Sequence, residues 1–350
     1  VRIGFLVNRI ETEDPRYTTT RLAMAAARRG HEVWYLGCED FVYDEREAVV
    51  GLATAPPAGR RYRELGAFLG AVQSDEAVRE RINLAALDVL MLRNDPAADQ
   101  SERPWAQTLG IMFGQVLAAR GVLVLNDPTG LSRALNKMYF QHFPQEVRPL
   151  TLITRDPHEI RRFVREQGKG GVILKPLQGS GGQSVFLVDG QDSANLNQII
   201  EAVQRLGYVV AQEYLPDAAR HDTRLFLLNG HPLKMDEHYC AFRRVGTAGE
   251  LRTNMSVGGT AEPAKVTKRV LELAEAVRPR LLADGMFLVG LDIVGDRLIE
   301  INVFSPGGLG SASHFADMDF TQPILDAIEA KLEHRKRSAD PLSNAELAVL

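Results

Sequence analysis

Short apolar runs alternate with helix-like stretches through the first third of this chain, and that alternation narrows the fold more than any other feature. Ile3–Val7, Val33–Leu36, Val89–Leu92 and Val122–Leu125 are apolar runs of strand length. Tyr17–Arg29 and about Thr108–Arg120 have helical character, and Gly30 stands where the first helix must stop. Strands apolar on both faces need cover on both faces, so the pattern predicts a parallel sheet between layers of helices. Residues 52–85 fit it poorly, because Pro56-Pro57 breaks the run.

The pattern changes after Asn126-Asp127-Pro128. Leu150–Thr154 reads as a strand, and Asp156 caps a helix with Pro157 at its first position. Val172–Lys175 and Ser184–Val188 are strands around a glycine loop, with no helix opening behind the loop. Strands dominate from Tyr208 onward. One helix interrupts them, with Val266, Val270, Leu273, Val277 and Leu281 at helical spacing and Gly285 at its end. Phe287–Val294 and Arg297–Val303 form a hairpin about Gly295-Asp296, and Gln322–Leu332 closes the unit as a helix. The fold class is therefore α/β, turning to α+β in the C-terminal half.

Length and charge bound the function. A chain of 350 residues, 45% hydrophobic and 25% charged, is an ordinary globular protein of two or three domains. A net charge of -4 gives no reason to bind nucleic acid or an anionic membrane. The basic run His334–Arg337 reads as a solvated helix end. Cys38 and Cys240 are far apart and in no metal-ligand spacing, as in a reducing compartment. No apolar run approaches the ~20 residues of a membrane span. The first residues read as a strand rather than a signal peptide, and a cytoplasmic enzyme is expected.

The chemistry gathers in the hairpin. Glu300 and Asn302 are two apart and share one face of a strand, and a tight turn at Gly295-Asp296 brings Asp292 toward that face. Two carboxylates and an amide oxygen make a hard-oxygen set suited to magnesium. The hairpin alone is equally a half-exposed sheet with a polar face. Lys175 ends a buried strand, where a charge needs a partner such as a nucleotide phosphate. The loop Gly179-Ser180-Gly181-Gly182 follows, able to bring backbone N–H groups to an anion or merely to turn. Lys137 on a helix would ordinarily be solvated. Ala211-Gln212-Glu213-Tyr214-Leu215 ends a strand whose backbone an adenine could pair with, though a plain strand end has the same look.

Taken together and in order, these pieces resemble the bacterial glutathione synthetase family of the ATP-grasp superfamily. Met91-Leu-Arg-Asn-Asp-Pro96 is similar to that family's Arg-x-Asp-Pro stretch. Asn136-Lys137, Ile173-Leu-Lys-Pro-Leu177 and the glycine loop resemble its ATP-phosphate elements, and Gln212-Glu-Tyr-Leu-Pro216 its adenine hinge. Asp222-Thr-Arg-Leu-Phe226 with Asn229-Gly-His-Pro232 resembles a strand pair carrying a functional arginine. Arg252-Thr-Asn254 and Gly258-Gly-Thr-Ala-Glu-Pro263 resemble a substrate and phosphate segment. Phe287–Val303 with Ser305-Pro306 is the closest match, and the likeness covers about residues 1–332.

The resemblance implies a Rossmann-like N-terminal domain over residues 1–127. A two-lobed ATP-grasp domain would follow, at 128–204 and 205–333; beyond the resemblance, the polar stretch 334–350 reads as a flexible tail. The resemblance implies an ATP-dependent carboxylate–amine ligase working through an acyl phosphate, with small-molecule substrates and a homodimer or homotetramer. The cofactors would be ATP and two magnesium ions, or manganese in their place. Asp292, Glu300 and Asn302 would bind metal. Lys137, Lys175, the glycine loop, residues 212–215 and Asp222 would bind ATP. Arg224, Arg244 and Asn254 would be catalytic, with Arg93, Arg252, Gly258, Gly259 and Ser305 toward substrate. Two stretches depart from the family: Val303-Phe304-Ser305-Pro306-Gly307-Gly308, where Val-Thr-Ser-Pro-Thr is usual, and Asp14–Thr20, where Lys-Asp-Ser is usual.

Overall fold

The computed structural model describes residues 1–167, 170–179, 184–188, 195–246, 259–338 and 340–350. The apolar runs do form a parallel core. β1 (Arg2–Val7), α1 (Thr18–Arg28), β2 (Glu32–Gly37), β3 (Phe41–Tyr43), β4 (Val49–Ala55), α2 (Leu65–Gln73), β5 (Val78–Asn83), β6 (Val89–Leu92), α3 (Leu109–Ala119), β7 (Leu123–Leu125) and α4 (Pro128–Arg133) follow in turn. The sheet has seven strands in the order β3-β4-β2-β1-β6-β7, with β5 on β4. β2, β1, β6 and β7 are parallel. The poorly patterned region supplies the antiparallel pair β4–β5 and helix α2. Its sequence hid this because four of the six residues of β5 are charged or amide side chains and five are exposed.

The middle sheet is small. It comprises β8 (Thr151–Thr154), β9 (Val172–Pro176), β10 (Phe186–Val188) and β11 (Val209–Glu213), ordered β10-β9-β11-β8. α5 (Pro157–Gln167) and α6 (Leu196–Gln204) cover one face. Ile160, Val164, Leu174, Ile200 and Val209 belong to a core of its own.

The C-terminal sheet carries β12 (His221–Leu228), β13 (His231–Pro232), β16 (Ala241–Val245) and β17 (Thr260–Pro263), while β14 (Lys234–Met235) and β15 (His238–Tyr239) pair only with each other as a separate two-stranded sheet. After α7 (Lys268–Ala283) come β18 (Leu288–Val294) and β19 (Arg297–Asn302), then α8 (Leu309–Ala316), α9 (Thr321–Arg337) and α10 (Asn344–Ala348). The main order is β17-β16-β12-β18-β19, all antiparallel. Leu6, Leu92 and Val124 of the first sheet share one apolar cluster with Leu225, Val289 and Leu291 of this sheet. Asn126 clasps the two: its side chain donates to the Leu288 carbonyl at 3.1 Å and accepts from the Leu288 N–H at 2.8 Å.

The end of the chain, expected to be loose, is docked. Ser343 and Glu346 form a capping box. Leu347 and Ala348 are buried, and Asn344 exchanges hydrogen bonds with the Val124 backbone at 2.9 Å. The polar composition that suggested looseness serves instead to cap this helix and to satisfy the edge of β7.

Candidate active site

Cross-strand pairing builds the centre of the site. Asp292 on β18 stands opposite Glu300 on β19 and Arg224 on β12, and Asp222 on β12 stands opposite Arg244 on β16. Gly290 faces Asn302. One sheet face therefore carries Arg244, Asp222, Arg224, Asp292, Glu300 and Asn302 side by side. Arg224 donates to Asp292 through Nε at 2.5 Å and Nη2 at 2.7 Å, and Arg244 Nη2 reaches the same carboxylate at 2.6 Å. Arg244 Nε donates to Asp222 at 2.7 Å. Two guanidinium groups thus balance two carboxylates in a buried set. Burial by itself would raise the Asp292 carboxyl, but Arg224 and Arg244 hold it below the usual range. Burial likewise opposes the Arg244 charge, and Asp292 and Asp222 more than restore it.

Above this face lies a cleft lined by Asp95, Lys137, Lys175, Gly179, Gln212, Glu300, Asn302, Phe304 and Ser305. Asp95 was given no role of its own from the sequence; its signal was its place as the acid of the Arg93-Asn94-Asp95-Pro96 stretch just past β6. Lys137 opens a 3-10 turn, Lys137–His142, and its Nζ donates to the Gly179 carbonyl. Lys175 Nζ donates to Gln212 Oε1 at 2.9 Å. Among the described residues neither lysine has an ion pair within 4.0 Å. Burial lowers both, taking Lys175 down to about 8 with help from Lys137, while Glu300 works the other way.

Other expected site residues lie outside this cleft. Arg93 is buried at the end of β6, donating to Thr19 Oγ1 at 3.3 Å and to the Pro306 carbonyl at 3.2 Å. The Glu213 and Tyr214 N–H groups are engaged by the Leu150 and Gly171 carbonyls, and Tyr214 and Leu215 do not line the cleft. Gly259 stands just before β17. Ser180, Gly181, Gly182, Arg252, Asn254 and Gly258 fall outside the described residues.

The chemical fit to a nucleotide and its metal differs between donors. Two desolvated ammonium groups with no ion pair among the described residues suit a polyphosphate. Glu300 is exposed and Asn302 half-buried, and both offer hard oxygens of the kind magnesium takes. Asp292 is already met by Arg224 and Arg244, and its Oδ2 also accepts from Asn302 Nδ2 at 3.2 Å. Its Oδ2 is thus crowded with donors, while Oδ1 meets Arg224 Nε and keeps the more open lone pair. Among the described residues no group of three or more His, Cys, Asp or Glu side chains is gathered as for a metal ion.

Sequence comparison then decides the family. Residues 1–132 match the prokaryotic glutathione synthetase N-terminal domain, and residues 136–316 match the prokaryotic glutathione synthetase ATP-grasp domain. The chain belongs to the prokaryotic glutathione synthetase family. It is 32% identical over 336 residues to the glutathione synthetase of Vibrio vulnificus, covering 95% of this chain and 99% of the relative. It is 35% identical over 317 residues to that of Brucella melitensis, covering 90% and 93%. Among solved structures, the D-cycloserine synthetase DcsG is similar with a TM-score of 0.62 at 14% identity, covering 93% of this chain and 99% of that one. The ATP-grasp ligase PsnB, complexed with a minimal precursor, has a TM-score of 0.58 at 19% identity, covering 93% and 98%. Membership in this family makes the chain an ATP-dependent C–N ligase. ATP and magnesium are general to ATP-grasp enzymes, and a PsnB structure holds magnesium and ADP. Among the described residues no helix is long and apolar enough to cross a membrane.

Proposed function

We propose that this chain joins γ-glutamylcysteine to glycine with ATP, giving glutathione, ADP and phosphate. The observation that carries the reading is the cleft itself: two partly buried lysines, with no ion pair within 4.0 Å among the described residues, face Glu300 and Asn302 above a sheet face holding two buried arginines.

In this reading Lys137 and Lys175 hold the transferring phosphates with Gly179 beside them, and Gln212 at the cleft wall lies toward the adenine. Asp292, Glu300 and Asn302 would hold magnesium, two ions, with manganese able to substitute. Magnesium supplies charge neutralisation on the phosphate oxygens. The cysteinyl carboxylate of the dipeptide attacks the γ-phosphorus and displaces ADP, and the glycine amine then attacks the acyl phosphate, losing a proton to solvent and expelling phosphate. Arg224 and Arg244 stand in a desolvated position and supply fixed positive charge to the developing oxyanion. Asp292 would hold the metal while remaining paired with the two arginines. Asp222 acts through Arg244 by fixing its orientation. Arg93 and Ser305 belong to the substrate end of the site. We assign the chain a homodimer or homotetramer, checked by light scattering, and a cytoplasmic setting.

The test is ADP release with γ-glutamylcysteine and glycine. Stimulation well above ATP alone is expected. Release no greater than with ATP alone removes this substrate pair, and stimulation only by another peptide and amino acid would replace the acceptor while keeping the ligase.

A further inference from the structure

A helix as short as α10 does not stand on its own, so it is held by what it touches. Leu347 and Ala348 are buried among apolar neighbours. Lys331, only 1% exposed, donates to the Leu350 main-chain oxygen at 2.8 Å and to Asn229 Oδ1 at 2.9 Å. These contacts hold the segment down. Those of Asn344 and Ala345 fall elsewhere, on the ground that carries the Lys137 turn.

Asn344 lies against β7, the last strand of its sheet, and its amide exchanges both hydrogen bonds with Val124 as a neighbouring strand would. Its Nδ2 also donates to Asp127 Oδ2 at 2.8 Å. Asp127 is buried and caps α4, its Oδ1 accepting from the Gly130 N–H at 2.9 Å. Among the described residues no other donor meets Oδ2. Without Asn344 a buried carboxylate oxygen is left unmet, and the carboxylate is drawn out of its capping position toward water.

Ala345 packs at the same corner. The Asp127 N–H donates to the Gly285 carbonyl at 3.0 Å, and a Cβ on Gly285 would lie 2.5 Å from Asp127 Cβ and 2.8 Å from Ala345 Cα. Asp284, the preceding residue, accepts from Arg133 at the end of α4 and from Tyr139 inside the Lys137 turn. The segment thus meets both supports of that turn, the cap of α4 and the Asp284-Gly285 corner.

We infer that Asn344 is a positioning residue for the phosphate-binding lysine, acting through the Asp127 cap and the Asp284-Gly285 corner on Lys137; this rests on the proposed assignment of Lys137 to the ATP phosphates. Asn344 touches neither nucleotide nor dipeptide, so its effect is confined to nucleotide affinity.

The test is a double-mutant cycle read by titration calorimetry with the magnesium complex of AMPPNP, at a temperature where circular dichroism shows each variant folded. Asn344→Ala should raise the Kd roughly three- to tenfold, the range of couplings carried through packed elements. Lys137→Met should raise it too, and adding Asn344→Ala to Lys137→Met should raise it no further. Asn344→Asp keeps the shape and sets two carboxylates face to face, so it should match or exceed the alanine variant and serves if that one does not fold. An unchanged Kd in a folded Asn344 variant, whatever its melting temperature, assigns the residue a structural role only and overturns the inference. An equal rise in both lysine backgrounds overturns it as well, since Asn344 then acts elsewhere than through Lys137. An unchanged Kd in Lys137→Met removes that lysine from the phosphates, and the inference falls with it.

Discussion

Asp292 and Glu300 stand opposite each other on neighbouring strands, yet they should answer mutation in opposite ways. Asp292 is fully buried between Arg224 and Arg244, so Asp292→Asn leaves two guanidinium groups facing an amide. Removing one partner from such a set costs about 3–5 kcal/mol, and thermal unfolding should report a loss of that order. Glu300 is exposed, and Glu300→Gln should move stability by no more than about 0.5 kcal/mol. On the proposed reading ADP release by that variant nevertheless falls to background; an unaffected rate would remove Glu300 from the metal site. Lys175 gives a third residue-scale expectation. Its ammonium is charged below about 8 and neutral above, and phosphate binding favours the charged form. KM for ATP should therefore rise as pH is taken upward through 8. Lys175→Met should raise it roughly tenfold at pH 7 and flatten the dependence; a pH-dependent limb surviving in that variant would assign the titration elsewhere.

At the scale of elements, Asp284 ties the turn that carries Lys137 to the helix beneath the C-terminal sheet. It accepts from Arg133 and Arg280 at 2.6 Å and from the Tyr139 hydroxyl at 3.0 Å. The same joint leaves no room at Gly130, where a Cβ would lie 1.8 Å from the Asp284 carbonyl oxygen. Gly130→Ala should therefore destabilise by about 1–3 kcal/mol, measured by denaturant unfolding, and unchanged stability would mean that α4 shifts freely. Much at this scale was legible beforehand. Pro157 opens α5, and the left-handed Gly285 follows α7, as local rules require. Glu300 and Asn302 share a face because strand periodicity leaves no alternative, and Gly295 in the turn sets them against Asp292 and Gly290. Partners from distant strands were not legible. Nothing local to Asp292 tells that Arg224 and Arg244 will bond it, since that follows from strand order across the sheet.

Across the whole molecule the first and third sheets share apolar clusters and the Asn126 clasp, while the middle sheet keeps a core of its own. Cutting the chain after Ser338 removes the Asn344 bonds to β7 and buried Leu347, and should lower the main unfolding temperature by several degrees, roughly 2–4 °C per kcal/mol lost. An unchanged transition would show that the docked end is ornamental. The joined and separate cores also set an order of events. On the proposed assignments the phosphates are gripped across the seam between the middle sheet and the rest, by Lys175 on one side and Glu300 on the other. On the same assignments, with Arg93 and Ser305 toward the substrate, the dipeptide would lie beside the two sheets that share a core. Nucleotide exchange would then depend on the seam parting, whereas dipeptide exchange would not. Steady turnover would be paced by ADP departure and slowed by solvent viscosity, while dipeptide affinity would be indifferent to it.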